Sequence, residues 1–239
     1  MKTLILLFMS LALTGALVSC NKDLEYKQGD LQIRIEQGSA YLHDFPLFWG
    51  IKTKNAPQIA VWTEDLSGNY LSTIYVSRKI ATQGWLMAKG NRRKEALPHW
   101  CHSRGVVYQD GLYLPDKAHP LPDRISGATP TKSFDLKLKN SERQHFVVKI
   151  EVNHSTDFNE YYPKNAKEGD AGYSGGKEGS GQPALIYRAE VNLTGDTNIF
   201  EAVLTGHSSP DGSDGEIHTD MDGLTSALNI LKRIIVIVH

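Results

Sequence analysis

Apolar and polar residues alternate along several short stretches of this chain, and that alternation is its main structural signal. Residues 31–36 (LQIRIE) show the period of two that a half-buried β-strand requires. Turn-forming residues at 65–69 separate two further stretches and predict a hairpin. The strands predicted in this way are 31–36, 57–64, 70–77, 134–138, 146–152, 184–193, 199–204 and 234–238.

Helical patterns are few and short. Residues 93–97 and 224–232 predict short helices, the second of them close to the C-terminus. About eight strands separated by turns, with little helix, are typical of a mainly-β protein. We therefore expect an antiparallel immunoglobulin-like β-sandwich with a long irregular excursion and a short C-terminal helix.

Two long segments interrupt the strand pattern. Residues 78–130 are rich in proline and aromatic residues and predict an ordered excursion, since loops this long in a compact domain usually carry function. Residues 159–182 are rich in glycine, lysine, glutamate and tyrosine and predict a mobile surface loop. We see no internal repeat, and residues 30–239 are predicted to form a single domain.

The first residues have the pattern of an export signal. Lys2 precedes an apolar run at 4–18, which is shorter than the spanning helix of about 20 residues that a bilayer requires. The run ends in LVSC at 17–20, which resembles the bacterial lipobox, whose cysteine is acylated. We predict a signal peptide at 1–19, lipidation at Cys20 and a polar tether at 20–29.

This N-terminus also predicts a location. Acyl chains contribute about 0.8 kcal/mol per buried CH₂, so two or three of them hold a protein firmly on a membrane. The mature chain is therefore predicted to be lipid-anchored in the cell envelope, as a periplasmic or outer-membrane and cell-surface protein. A signal peptide that ends in cysteine by chance is the alternative.

The charge and the cysteine content of the chain argue against several kinds of function and site. The chain has 26 Lys and Arg against 27 Asp and Glu, a formal net charge of −1, so binding to nucleic acid is not predicted. Once Cys20 is lipidated, Cys101 is the remaining thiol, so no intrachain disulfide is predicted. His99, His102 and the acidic loop at 211–222 lack the spacing of known metal motifs. We predict neither a metal site nor catalytic residues.

The strongest chemical signal is the sequence DRISGAT at 123–129. Its Thr129 hydroxyl is a candidate nucleophile toward a phosphate. Gly127 allows close backbone approach, Ala128 adds almost no bulk, and successive N–H groups in such a turn can form an anion-binding concavity. Ser126 could donate a hydrogen bond, and Asp123 could orient the turn. The alternative interpretation is a plain turn that enters the next strand.

This pattern, D-x-x-S-G-A-T, resembles the acceptor motif of proteins that carry flavin mononucleotide (FMN) on a threonine through a phosphoester bond. The resemblance implies that an FMN transferase, with FAD as donor, attaches FMN to Thr129, and that Asp123, Ser126, Gly127 and Ala128 form the acceptor site. In that site Asp123 could help to position a metal and the acceptor during the transfer. It implies an electron carrier, which accepts electrons from a membrane redox partner, and no enzyme with its own substrate. The rest of the chain does not match the compact fold of the best-known FMN-carrying domains.

Most of the mature chain also resembles a family of periplasmic proteins of unassigned function. That family has an immunoglobulin-like character, similar to a domain of the flagellar hook-capping protein. The resemblance implies a sandwich and an exported location, and it implies no particular chemistry. It rests on VWTED at 61–65, SGNYLSTI at 67–74, LPHW at 97–100, SGAT at 126–129, IEVN at 150–153 and GLTSAL at 223–228.

A lipid-anchored binding or scaffolding protein is the alternative function, because loops of such a sandwich could serve a carbohydrate or protein partner without any redox role. The isoalloxazine ring of an attached flavin would stack on aromatic side chains, which we call the aromatic shelf. Of Trp49, Trp62, Trp85 and Trp100, we expect Trp85 and Trp100 to be the best candidates. The carrier interpretation requires an accessible Thr129, and a side chain enclosed by packed neighbours would exclude it.

Overall fold

Short strands make up most of the regular structure in the computed structural model, which describes residues 24–46, 52–85, 92–122, 125–139 and 143–239. The strands are β1 (Leu31–Gln37), β2 (His43–Pro46), β3 (Lys52–Asn55), β4 (Gln58–Glu64), β5 (Tyr70–Ser77), β6 (Ser126–Gly127), β7 (Phe134–Leu138), β8 (His145–Asn153), β9 (Leu185–Asn192), β10 (Ile199–Glu201), β11 (Val203–His207) and β12 (Leu231–Val238). The helices are α1 (Arg78–Thr82), α2 (Pro98–Ser103) and 3₁₀ turns at Gly176–Glu178 and Ser226–Asn229.

The strands form two main sheets. One has four strands in the order β10-β12-β1-β7, and the other has six in the order β11-β9-β8-β4-β5-β6. Strands β2 and β3 pair separately as a hairpin. Within the described parts of the chain the pairs are antiparallel, except that β6 runs parallel to β5. The prediction of a mainly-β chain with antiparallel sheets is therefore confirmed.

Both main sheets contribute side chains to one hydrophobic core. Alternate residues of β1, such as Ile33 and Ile35, lie in the same buried cluster as alternate residues of β4 and β8, such as Val61 and Ile150. This is the period-two pattern expected of strands with one face toward a core. Burial of each such side chain contributes about 1.5–3 kcal/mol, so the shared core holds the two sheets together.

The excursion at 78–130 covers the other face of the six-stranded sheet. Ala60 and Trp62 of β4 point to this face and are fully buried beneath Leu97 and Trp100 of the excursion, which belong to the same second hydrophobic cluster. Burial on both faces explains why every residue of β4 is buried.

Three local predictions differ from the structure. The helix predicted at 224–232 is a single 3₁₀ turn, because β12 begins at Leu231. The helix predicted at 93–97 does not form, and α2 instead begins at Pro98, whose fixed φ and missing N–H suit a first helical position. The strand predicted at 199–204 is interrupted at Ala202, since β10 pairs with β12 in one sheet and β11 with β9 in the other.

The loop predicted to be mobile, 159–182, packs against the fold at its C-terminal end. Gln182 is buried, and its side-chain amide donates to Asp157 Oδ2 at 2.8 Å and to Ser226 Oγ at 2.5 Å. Its oxygen accepts from the backbone N–H of Thr225 at 2.6 Å. These bonds fix the end of the loop to the 3₁₀ turn at Ser226–Asn229, and the mobility of the rest stays a prediction.

A buried polar network connects α2 to the six-stranded sheet. Glu151 is fully buried, and its two oxygens accept from the backbone N–H groups of His99 at 3.2 Å and Trp100 at 2.7 Å. The His99 ring bonds to Gly215 O at 2.6 Å and lies 2.9 Å from Lys149 Nζ. Because burial, followed by the neighbouring Lys149, lowers the pKa of His99 to about 4, its ring is neutral at pH 7 and accepts from that lysine.

These buried groups predict a stability maximum near neutral pH. Burial raises the pKa of Glu151 from 4.5 to about 8. Its contribution to stability is therefore complete below pH 4.5 and is lost as pH rises through 8. Burial also lowers the pKa of His99 and of His154 from 6.5 to about 4, so their contributions are lost as pH falls from 6.5 through 4. We expect the urea midpoint to be highest at about pH 6.5–7 and lower at both pH 5 and pH 9.

The control for this prediction is Glu151→Gln, which removes the group that titrates on the alkaline side. The variant should show no decline between pH 7 and pH 9 beyond that of exposed groups. A wild-type midpoint that stays constant from pH 5 to pH 9 would contradict the assigned burial of these groups.

Candidate functional site

The SGAT segment lies beside the last residues of β5. Ser126 and Gly127 form β6, which pairs in parallel with Val76 and Ser77. The hydroxyl of Tyr75 donates to Gly127 O at 3.1 Å, which holds the segment against the sheet. The two residues that follow β6, Ala128 and Thr129, leave the sheet at this point.

The Thr129 hydroxyl is held by a defined hydrogen bond, 2.6 Å from Ser77 Oγ. Ser77 Oγ also accepts from the Ile59 N–H at 2.8 Å and lies 3.3 Å from Ile59 O, to which it can donate. A hydroxyl has one proton and two acceptor positions, so the full set of bonds forms when Thr129 donates to Ser77. The lone pairs of Thr129 Oγ1 then remain available to a ligand.

Tyr75 lies beside both of these hydroxyls. Burial raises its pKa, and hydrogen bonds with Thr129 and Ser77 offset part of that rise. Its phenol is therefore neutral at physiological pH and acts as a donor toward Gly127 O. This arrangement fixes the position of Thr129 on the side of the sheet through uncharged neighbours.

Thr129 lines an open cavity of about 490 Å³. Thr129 is half-buried and the preceding Ala128 is exposed, so Thr129 is not enclosed by packed neighbours. The volume lies in the range of about 300–1,000 Å³ that is typical of small-molecule sites. The residues that line the cavity are Asn55, Ala56, Gln58, Ser77, Arg78, Lys79, Thr82, Gly84, Gly127, Ala128 and Thr129.

Two cations from α1 face this cavity. Arg78 and Lys79 directly follow the last residue of β5, and Thr82 lies one helical turn further on. Arg78 is exposed and Lys79 is half-buried. Burial, and next the charge of Arg93, lowers the pKa of Lys79. An anion in the cavity would favour the charged form of Lys79, so this wall suits a phosphate group.

A buried amide forms another part of the cavity wall. Gln58, which is 5% exposed, lines the cavity, and its Oε1 is buried without a hydrogen-bond partner among the described residues. An unpaired buried acceptor costs about 1–3 kcal/mol. A ligand that donates a hydrogen bond to Gln58 would recover that cost.

The structure brings together only part of the predicted acceptor motif. Gly127, Ala128 and Thr129 line the cavity, whereas Ser126 does not, and the Ser126 hydroxyl is buried without a partner in the described part of the chain. Asp123 lies outside the described residues. A Cβ added to Gly127 would meet Tyr75 Cε2 at 3.6 Å, an ordinary contact, so the protein itself does not require glycine there.

The expected aromatic shelf is not among the described residues that line the cavity. Trp100 and Trp62 are both fully buried, so the prediction that Trp100 contributes to the shelf is wrong. Trp85 is half-buried, with the Arg93 guanidinium 4.5 Å from its ring centroid. Trp49 lies outside the described residues.

The sequence did not predict that residues of β5 and α1 would line the cavity. Ser77, Arg78 and Lys79 are 50 to 52 residues from Thr129 along the chain, and only the pairing of β6 with β5 brings them next to it. The one available signal was the pair of cations immediately after a predicted strand. Within the described residues no group of three or more His, Cys, Asp or Glu side chains is placed to hold a metal ion.

Comparisons with known proteins identify no relative of this chain. No protein-family model, no curated protein and no solved structure matches this chain. Of the helices formed by the described residues, none has the length and apolar character needed to cross a membrane.

Proposed function

We propose that this protein is an exported, lipid-anchored electron carrier that holds FMN covalently, through a phosphoester to Thr129. The observation that carries the proposal is the position of Thr129, a half-buried residue that lines a cavity together with Arg78 and Lys79. The carrier interpretation required an accessible Thr129. The DRISGAT sequence at 123–129 supplies the second line of support.

The described residues fit the phosphate end of FMN better than its ring. Arg78 and Lys79 would neutralise the phosphodiester charge, and Gln58 would accept a hydrogen bond from a ribityl hydroxyl. No described aromatic residue lines the cavity, so the isoalloxazine ring would extend toward solvent. An exposed ring suits a carrier, because a partner protein must approach it closely. FMN, when bound, supplies one- and two-electron transfer.

The roles of the protein's own residues in the attachment follow from the hydrogen bonds. Thr129 Oγ1 would form a bond to the phosphorus of the FMN half of FAD, while the bond from that phosphorus to the bridging oxygen breaks. AMP leaves with that oxygen, and the hydroxyl proton is released. In the free protein Ser77 accepts a hydrogen bond from the Thr129 hydroxyl. After attachment, the Ser77 hydroxyl could rotate and donate to the ester oxygen.

The remaining parts of the proposal concern fold type, location and partners. We propose an immunoglobulin-like sandwich, supported by the core that the two antiparallel sheets share. Lipidation at Cys20, outside the described residues, would hold the protein in the cell envelope, on the periplasmic side or at the outer membrane and cell surface. An FMN transferase and a membrane redox partner are the proposed protein partners, and the protein acts as a carrier without an enzymatic substrate.

A binding or scaffolding protein is the second candidate, and one surface favours it. β11 is the edge strand of the six-stranded sheet, and Val203 and Leu204 on it are 61% and 36% exposed. An edge strand with exposed apolar side chains can pair with an extended segment of another protein. This surface does not involve Thr129, so the two candidates can be tested separately.

The experiment is to express the full chain together with an FMN transferase and to isolate the mature protein from membranes. We expect the intact mass to rise by one FMN less one water, and flavin fluorescence to stay with the chain after denaturation. The carrier proposal fails if the mass stays unmodified while the same transferase modifies an established FMN carrier in a parallel culture.

A further inference from the structure

The strands define two opposite ends of the fold. β1 begins at Leu31, which pairs with Leu138, the last residue of β7. The chain enters β1 through 24–30, and we call this end the tether end. β7 begins at Phe134, five residues after Thr129, at the other end, which we call the cavity end.

The six-stranded sheet has the same two ends. Tyr75 of β5 contacts Phe134 of β7 with ring centroids 5.9 Å apart, so the last residues of β5 lie at the cavity end. The turn at 65–69 precedes β5 and therefore lies at the tether end. Ile199 of β10 pairs with Ile237, near the end of β12, which places it at the tether end as well.

The described part of the predicted tether is attached to the fold. The Tyr26 ring stacks on His239 with centroids 4.3 Å apart. Lys137 Nζ donates to Glu25 O at 2.5 Å and lies 2.6 Å from Asp30 Oδ2. Residues 24–29 are thus part of the tether end of the fold, within the segment for which the sequence predicted a polar tether.

The remaining linker is short. Four residue steps separate Cys20 from Leu24, and even a fully extended chain covers only about 14 Å over that length. A lipid anchor at Cys20 would therefore keep the tether end close to the lipid surface. The strand length of β1, seven residues or about 20 Å, separates this end from the cavity end.

Exposed apolar side chains also occur at the tether end. Leu24, Leu66 and Ile199 are 42%, 52% and 53% exposed. Large apolar residues singly exposed to water need no partner, but these three lie at the one end of the fold to which the lipid anchor leads. Contact with the interfacial region of a bilayer would remove apolar area from water.

We infer that the tether end rests on the lipid surface through Leu24, Leu66 and Ile199, and that the cavity at Thr129 faces away from that membrane. The inference rests on the lipid anchor of the proposed function and not on the flavin. A partner of the cavity then approaches from the aqueous compartment. A redox partner in the same membrane must extend about 20 Å or more above the lipid, because the body of the domain lies in between.

Collisional quenching in vesicles tests this orientation on the full lipidated chain. One variant, Ser67→Cys, places a fluorophore at the tether end, and the other, Thr131→Cys, places it at the cavity end, both at exposed positions. Cys101 is 1% exposed and stays unlabelled. The vesicles contain phosphatidylethanolamine, phosphatidylglycerol and a lipid with a nitroxide on its headgroup. Quenching at 67 should be severalfold stronger than at 131.

The outcomes separate the inference from the flavin proposal. Substituting Leu24→Asn and Ile199→Asn together should weaken the quenching at 67 and leave that at 131 unchanged. Equal quenching at both sites, or stronger quenching at 131, overturns the orientation, and so does a chain that does not float with the vesicles. If a chain that never acquires FMN shows the stated quenching pattern, the orientation is supported and only the carrier proposal is refuted.

Discussion

Thr129→Ala should abolish covalent flavin incorporation, and Thr129→Ser should retain it. The proposed attachment needs the hydroxyl of Thr129, and alanine removes it while leaving the backbone and the neighbouring cations in place. Serine keeps Oγ within reach of Ser77, although it loses the methyl group that restricts the rotamer, so we expect slower but complete loading. Intact mass and in-gel flavin fluorescence after expression with an FMN transferase measure both variants.

Thr131→Ala is the matched control, because it removes an exposed hydroxyl two residues away. It should load as the wild type does. If Thr129→Ala still acquires one FMN and Thr131→Ala does not, the attachment point is wrong, although the carrier function would stand. Urea midpoints of the three variants, measured without flavin, show whether any loss of loading follows from unfolding.

Most strands could be predicted because each has one face toward the shared core. Ile33 and Ile35 alternate with polar residues, and such a pattern specifies a strand without knowledge of its partners. The elements that were predicted wrongly are those whose structure depends on a distant partner strand. Residues 224–232 contain a helix-like apolar spacing, but Leu231 pairs with Gln37 of β1, and sheet pairing outweighed local propensity.

The candidate site was only half predictable, for the same reason. Gly127, Ala128 and Thr129 are contiguous, so a motif can identify them. Ser77 and Gln58 enter the site because β6 adds to the edge of the six-stranded sheet beside β5, a parallel pairing that no local pattern encodes. The burial of Trp100 was equally invisible, since it results from the excursion folding over the outer face of β4.

Glu151→Ala should destabilise the fold by about 3–5 kcal/mol, the sum expected for two unpaired buried donors, at about 1–3 kcal/mol each, and a small cavity. Glu151 is fully buried, and its carboxyl group satisfies the N–H groups of His99 and Trp100 in the first turn of α2. Alanine leaves both donors unpaired and creates a cavity beneath the excursion. Because α2 carries Trp100 in the second hydrophobic cluster, loss of this turn loosens that cluster as well. Urea denaturation, followed by tryptophan fluorescence, measures the loss.

Glu151→Gln keeps one acceptor oxygen in the network and removes the titratable group. With a pKa of about 8, raised by burial, the carboxyl group is largely protonated at pH 7, so the neutral amide resembles it in shape and charge. Glutamine still offers one oxygen to the two N–H groups, and we expect a loss of about 1–2 kcal/mol, which corresponds to one buried hydrogen bond. Equal losses for the two variants would mean that the oxygen which glutamine retains does not hold α2 on the sheet. A loss below about 1 kcal/mol for alanine would contradict the buried position of the network itself.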